Sequence, residues 1–297
     1  LLRASANNQS YEIKGEVKVA GAPALFEYRK LKGEPDAEVK LQATLDEAAR
    51  TRFGLDLGNT LGGSLPMKLS GRVGSDDRGG RFNVEADLTT VKIDNLLPGW
   101  VKPPGRQARV AFTLVKEKSG TRFEDFLIDG QGVLAKGSVD LDSNGDLLSA
   151  NFPIFATSDG DKASLKADRG TDGALRVTMR GDVFDGRNIV KSAMSGPNDP
   201  RTKGRHPDLD FDVRLGVVAG HHGETIRGLE LRLSRRGGRV RNFLLNAKIG
   251  RETSLLGDMI DFNTLETSAM VNDITKALTW DSSNMPVFRL LDAGATG

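Results

Sequence analysis

The sequence contains no cysteine. That excludes a disulfide framework and a thiolate metal site, and it leaves the compartment open, because periplasmic proteins also do without cysteine. Aromatic residues are scarce at 6% and the hydrophobic fraction is low at 38%. A carbohydrate-active module, which needs aromatic platforms and paired carboxylates, is poorly served by such a composition. Neither sign of charge prevails: 42 Lys and Arg stand against 40 Asp and Glu, for a formal net charge of +2. This balance, with no long basic run, argues against a nucleic-acid partner. No apolar stretch approaches the roughly 20 residues of a membrane-spanning helix. There is no methionine start and no signal-peptide pattern at Leu1, so the chain reads as an internal segment of a longer protein, with any targeting or membrane anchor outside it.

Catalytic and metal signatures are equally thin. Neither a G-x-S-x-G elbow nor a G-x-x-x-x-G-K-[ST] loop occurs, and the carboxylates are scattered. Asp140-Leu141-Asp142-Ser143-Asn144-Gly145 matches the first half of a calcium loop, but Asn151 stands where a bidentate glutamate is required, so a hairpin turn is the better reading. The histidines are His206, His221 and His222; the last two sit in a Gly-flanked turn with Glu224 as the one carboxylate nearby, too few ligands for a metal. The expectation is a non-enzymatic chain with no cofactor. Arg235, Arg236, Arg239 and Arg241 form the densest basic cluster and read as a solvated hairpin tip, with contact to a lipid headgroup as the lesser reading. Trp100, after Pro98-Gly99, reads as a local core anchor.

What the sequence has in abundance is alternation. Val133, Ala135, Gly137, Val139 and Leu141 fall on one side of a strand, opposite Leu134, Lys136, Ser138, Asp140 and Asp142. Leu165 between Ser164 and Lys166, and Val177 between Arg176 and Thr178, repeat the pattern. So do Leu231 and Leu245 further on. A period of two with one apolar and one wet face marks half-buried strands. Asn144-Gly145, Asp159-Gly160 and Asp172-Gly173 supply hairpin turns between them.

The period breaks in few places. Asp46 caps a short helix over Glu47–Phe53, closed at Gly54; Ile93 to Leu97 reads as one helical turn; a second helix is expected over Asp185–Met194. Asn198 to Pro207 is a polar, proline-bearing loop and the best candidate for a break. The expected division is residues 1–200, a groove-forming meander with two short helices, and 201–297, a continuing β segment with further strands near Leu265 to Val271 and Val287 to Leu290.

On the order of a dozen strands of roughly 25–35 Å cannot be covered by two or three short helices. The fold class is therefore mainly β: a long, curved antiparallel sheet that packs on itself as sandwiches, closes as a barrel, or remains a U-shaped trough. Its lining of Val, Leu, Ala and Gly is aliphatic and small, and so leaves room.

Six stretches carry a family resemblance: VKLQATLDEAARTRFGLDL (Val39 to Leu57), GSLPMKLSGRV (Gly63 to Val73), VKIDNLLPGWVKPPGRQARVAFTL (Val91 to Leu114), FEDFLIDGQGVLAKGSVDLDSNGDLLSANFP (Phe123 to Pro153), LRVTMRGDVFDGRNIV (Leu175 to Val190) and FRLLDAGATG (Phe288 to Gly297). With these the chain resembles the AsmA-like proteins of the Gram-negative envelope, in particular the large YhdP-like branch and its AsmA-like C-terminal region. The resemblance implies a periplasmic segment of an inner-membrane-anchored protein that shields phospholipid acyl chains in a groove. It further implies a role in lipid transport between inner and outer membranes and in outer-membrane integrity. The groove lining would come from the apolar phase, with Val133, Val139, Leu165, Val177, Leu231 and Leu245 as candidates. The competing reading is a structural or adhesive scaffold of tandem sandwiches whose apolar faces pair with each other.

Overall fold

The computed structural model describes residues 2–52, 60–74, 80–94, 96–97, 99–117, 119–187, 208–220, 225–237, 239–249 and 253–257. The mainly β expectation holds: strand makes up 73% of the structure. The chain divides into two compact units, Leu1–Asp159 and Gly160–Gly297.

The first unit opens with β1 (Leu2–Ala6), β2 (Ser10–Val19), β3 (Ala22–Leu31) and β4 (Asp36–Leu45), followed by helix α1 (Glu47–Arg52). Next come β5 (Leu61–Gly62), β6 (Leu65–Gly74), β7 (Arg81–Asp87), β8 (Lys92–Asp94) and β9 (Val101–Lys102). It ends with β10 (Ala108–Glu117), β11 (Gly120–Gly130), β12 (Val133–Asp142) and β13 (Leu147–Ala156). Ten of these strands form one antiparallel sheet in the order β1-β2-β3-β4-β6-β7-β10-β11-β12-β13. β1 has β2 as its one partner among the described residues, so the sheet is not closed into a barrel. The hairpins form where the sequence places its positive-φ turns, as at Gly145 (φ 84°) after Asn144.

The two interruptions of the meander meet each other. β5 lies between β4 and β6, β8 and β9 lie between β7 and β10, and these three pair as a small sheet in the order β5-β8-β9. The helical turn expected at Ile93 to Leu97 is therefore corrected: Ile93 is a strand residue opposite Leu61, fully buried. A β-branched side chain with a pairing partner and a core to fill favours the strand.

Two cations hold this small layer. Asp46 accepts the Ala49 N–H at 2.7 Å and so caps α1. Arg50, 2% exposed, donates to the carbonyls of Leu45 at 3.4 Å and Leu61 at 2.8 Å, and to that of Gly63. Lys102, 1% exposed, donates to the carbonyls of Thr89, Pro103 and Arg106 at 3.2, 3.1 and 3.0 Å. Burial pushes the Lys102 ammonium below its ordinary value, against the pull of Asp87. Leu45, Leu65, Leu88, Val91 and Trp100 are buried alongside, and Trp100 thus serves as the local anchor expected of it.

The second unit consists of β14 (Lys162–Arg169), β15 (Leu175–Asp185), β16 (Leu209–Ala219), β17 (Thr225–Arg236), β18 (Arg239–Ile249) and β19 (Thr253–Gly257), in that order within the sheet. Antiparallel pairing was expected throughout, but β15 and β16 run parallel, from Leu175 opposite Leu209 to Asp185 opposite Ala219. The pairing explains the division of the chain: it ties together the strands on either side of the Asn198 to Pro207 loop, so that loop is not where the compact units part. Asp185, expected to start a helix, is the last residue of β15. Residues 188–194 of that helix, the loop, His206, His221 and His222, and the strands expected after Leu265 lie outside the described residues.

Candidate functional site

The register of the first unit aligns its apolar residues into rows that run across the strands. One row passes from Val17 through Ala24, Ala43, Met67 and Ala86 to Val110. It continues through Ile128 and Ala135 to Phe155 without a break in direct pairing. A parallel row starts at Ala4 and runs through Ile13, Tyr28, Val39 and Gly71. Phe82, Leu114, Phe123, Val139 and Ala150 complete it. Strands lie about 4.8 Å apart, so each row extends for roughly 40 Å. A period-two pattern produces such rows where the register keeps apolar residues opposite one another. From β10 to β13 the register shifts by one residue between the two rows, and both rows persist across the shift.

Burial changes from row to row. At the end of the strands where α1 and the small sheet lie, Leu45, Leu65, Leu88, Ala108 and Val133 are buried, as are most members of the Val17–Phe155 row. Further along the same strands, Phe26, Leu41, Leu69 and Phe112 are only half-buried, as are Ile13, Val39, Phe82, Leu114 and Val139. Among the described residues nothing covers these rows fully. A depression of about 770 Å³ crosses six strands at the level of the Val17–Phe155 row, lined by Ala24, Ala43, Met67, Ala86 and Val110 and by the residues flanking them in each strand.

The opposite face is wet and ion-paired. Arg29 meets Glu12 at 3.3 Å, Arg81 meets Glu124 at 2.7 Å, and Arg122 meets Asp140 at 2.7 Å. The half calcium loop is spent on local bonds: Asp140 accepts from Arg122 and Ser149, while Asp142 accepts the N–H groups of Asn144 and Asp146. Those are the bonds of a hairpin turn.

The second unit repeats the arrangement. Leu165 pairs with Met179, Met179 with Val213, Val213 with Leu231, and Leu231 with Leu245. The neighbouring row is Ala167, Val177, Phe211, Leu233 and Phe243. On the other face Arg180 meets Asp212 at 2.9 Å, and Arg236 meets Asp210 at 2.8 Å. The Asp210 carboxyl lies below the usual carboxylate range because Arg236 bonds to it; burial opposes this and Ser234 and Arg176 assist.

Of the six candidate lining residues, Leu165, Leu231 and Leu245 thus share one row and Val177 belongs to the next. Val133 and Val139 share one strand of the first unit: Val133 is buried at its start, and Val139 lies between Phe123 and Ala150. An aliphatic and small apolar face was expected, and from β10 to β13 an aromatic cluster joins the aliphatic residues of the rows. Phe112 meets Phe123 and Phe126, Phe126 meets Phe152 at 5.7 Å, and Phe152 meets Phe155 at 6.3 Å. Sequence alternation misses this cluster because Phe123 and Phe126 have opposite phase in a regular strand.

No family model matches the chain, and no curated protein or solved structure matches it significantly.

Proposed function

We propose that the chain is a non-catalytic segment of a periplasmic protein, anchored in the inner membrane of a Gram-negative bacterium through other parts of a longer polypeptide. Its apolar sheet face shields phospholipid acyl chains and so supports lipid transport between inner and outer membranes and outer-membrane integrity. The observation that carries this reading is the pair of uninterrupted apolar rows, Val17 to Phe155 and Ala4 to Ala150, one of them only half-buried along much of its length. Monomeric soluble proteins rarely expose contiguous apolar patches beyond a few hundred Å² unless something binds there.

The physical advantage is specific to chains of methylene groups. Each CH₂ exposed to water costs about 0.8 kcal/mol, so a continuous apolar track lowers the barrier to carrying a lipid through an aqueous compartment. The wet face, with its ion-paired arginines and carboxylates, keeps the reverse side of the sheet in water.

Native mass spectrometry of protein purified without detergent tests the proposal. Phospholipid carried through purification is the expected result. Protein free of lipid, and unable to take it up from phosphatidylethanolamine vesicles, would overturn the proposal and favour the scaffold.

A further inference from the structure

The chain as a whole is nearly neutral, but the β17–β18 hairpin is not. Between Thr225 and Ile249 it carries seven basic residues against one acid, Glu230. The surplus is greatest at the tip. There Arg236 turns to the wet face, where Asp210 takes it up at 2.8 Å. Arg235 turns the other way: it pairs directly with Leu209, in sequence with Leu233 opposite Phe211, and is thus on the apolar face. Arg241 falls where the β17–β18 register shifts, between Val240 opposite Arg235 and Asn242 opposite Ser234, two residues before Phe243. A hollow of about 230 Å³ is lined by Phe211, Leu233 and Phe243 together with their strand neighbours. Apolar surface and positive charge therefore adjoin at one end of three adjacent strands.

That juxtaposition has the polarity of an amphiphile. We propose that the tip of the β17–β18 hairpin is a site for the anionic headgroup of a phospholipid, held by Arg235 and Arg241, with an acyl chain on Phe211, Leu233 and Phe243. The proposal rests on the acyl-shielding reading and adds to it a preference for headgroup charge. Arginine suits the role because its planar fork of N–H donors matches phosphate oxygens and stays charged. Around the tip Asp210 and Asp172 meet Arg236 at 2.8 and 3.6 Å, and Asp208 accepts the Gly237 N–H.

The test offers the full chain an equimolar mixture of phosphatidylglycerol and phosphatidylethanolamine with identical acyl chains, and reads the bound ratio by native mass spectrometry. Each arginine near an anionic lipid contributes about a fivefold preference. The wild-type chain is therefore expected to enrich phosphatidylglycerol by about five- to twentyfold. The double variant Arg235→Gln/Arg241→Gln should bring the ratio close to one, Arg235→Lys/Arg241→Lys should retain most of the enrichment, and Lys40→Gln on the wet face of β4 should leave it unchanged. Circular dichroism establishes that each variant is folded.

Glycerophosphoglycerol, the same headgroup without chains, separates a lipid site from a site for a soluble phosphate ester. It should fail to displace the lipid at equal concentration; displacement would overturn the lipid assignment. No enrichment in the wild-type chain, or enrichment that survives the glutamine variant, would overturn the headgroup site while leaving acyl shielding intact. Absence of any bound lipid would overturn both.

Discussion

Phe123 and Phe126 share one face of β11 although their odd spacing would separate them in a regular strand, and both meet the ring of Phe112, at 5.1 and 5.9 Å. The register irregularity between them makes this possible: Phe123 pairs with Leu114 and Val139, and Phe126 with Gly137. Asp125, inside the irregularity, adopts φ 50°. Asp is among the few residues that tolerate this left-handed conformation. One extra residue resets the phase, and the apolar face stays continuous from β10 into β13.

The bulge gives a direct test. Asp125→Gly should preserve stability, since glycine accepts positive φ without strain. Asp125→Val should cost about 1–2 kcal/mol, the penalty for a β-branched residue in that region. Urea unfolding of both variants measures the difference. Equal effects would show that the backbone there does not depend on the left-handed residue.

Much of the first unit was legible because its strands obey one rule. Ile13, Gly15 and Val17 alternate with Lys14 and Glu16 as the register requires, and Asp46 marks the start of α1 by a bond it makes. Three features were hidden for separate reasons. Phase resets at bulges such as Asp125 depend on backbone irregularity, which apolar periodicity does not register. Pairing over short segments, as between Leu61 and Ile93, depends on partners distant in sequence. The parallel pairing of β15 with β16 is a matter of chain path, and the strand pattern of Leu209 to Val217 is the same for either direction. The candidate lining residues were legible as a phase, and their grouping into rows came from register.

The small layer beside the first sheet depends on Arg50. Arg50→Met keeps the stem and removes every donor, leaving the carbonyls of Leu45, Leu61 and Gly63 without it. The expected loss is about 2–4 kcal/mol in urea unfolding, since buried acceptors would forfeit charge-assisted bonds. Arg50→Lys should recover only part of this, because a single ammonium lacks the fork that serves several acceptors. A loss below about 0.5 kcal/mol for Arg50→Met, the scale of ordinary surface changes, would show that apolar packing alone holds the layer.

Asp210 predicts a pH dependence. Its carboxyl is held below the ordinary value chiefly by Arg236, so the folded state binds its proton less readily than the unfolded chain. The stabilisation is fully present above about pH 4, the unfolded carboxylate value, and is lost as pH falls through the lower folded value. At neutral pH Asp210→Asn should therefore cost about 1 kcal/mol, a figure that allows for partial solvent exposure. The gap between wild type and variant should close as the pH is lowered below the carboxylate range. A gap independent of pH from 7 down to 2 would show that the ion pair does not contribute.

The apolar rows make the strongest prediction about function. Val139 stands between Phe123 and Ala150 in one row, and Leu165 pairs with Met179 in another. Aspartate at either position would put a carboxylate against any acyl chain on that row, and desolvating it without a partner costs several kcal/mol. Both sites are half-buried, so the free protein can keep the new charge hydrated and remain folded. Val139→Asp and Leu165→Asp should therefore abolish lipid co-purification and outer-membrane complementation while the circular dichroism spectrum stays that of the wild type. Lys136→Glu and Lys166→Glu place the same charge on exposed positions of the same two strands and should be silent. If an aspartate variant fails to fold, Val139→Asn or Leu165→Asn introduces a polar group at smaller cost and should weaken lipid retention in proportion. Folded aspartate variants that still carry phospholipid at the wild-type level would exclude these rows as the path of the acyl chain.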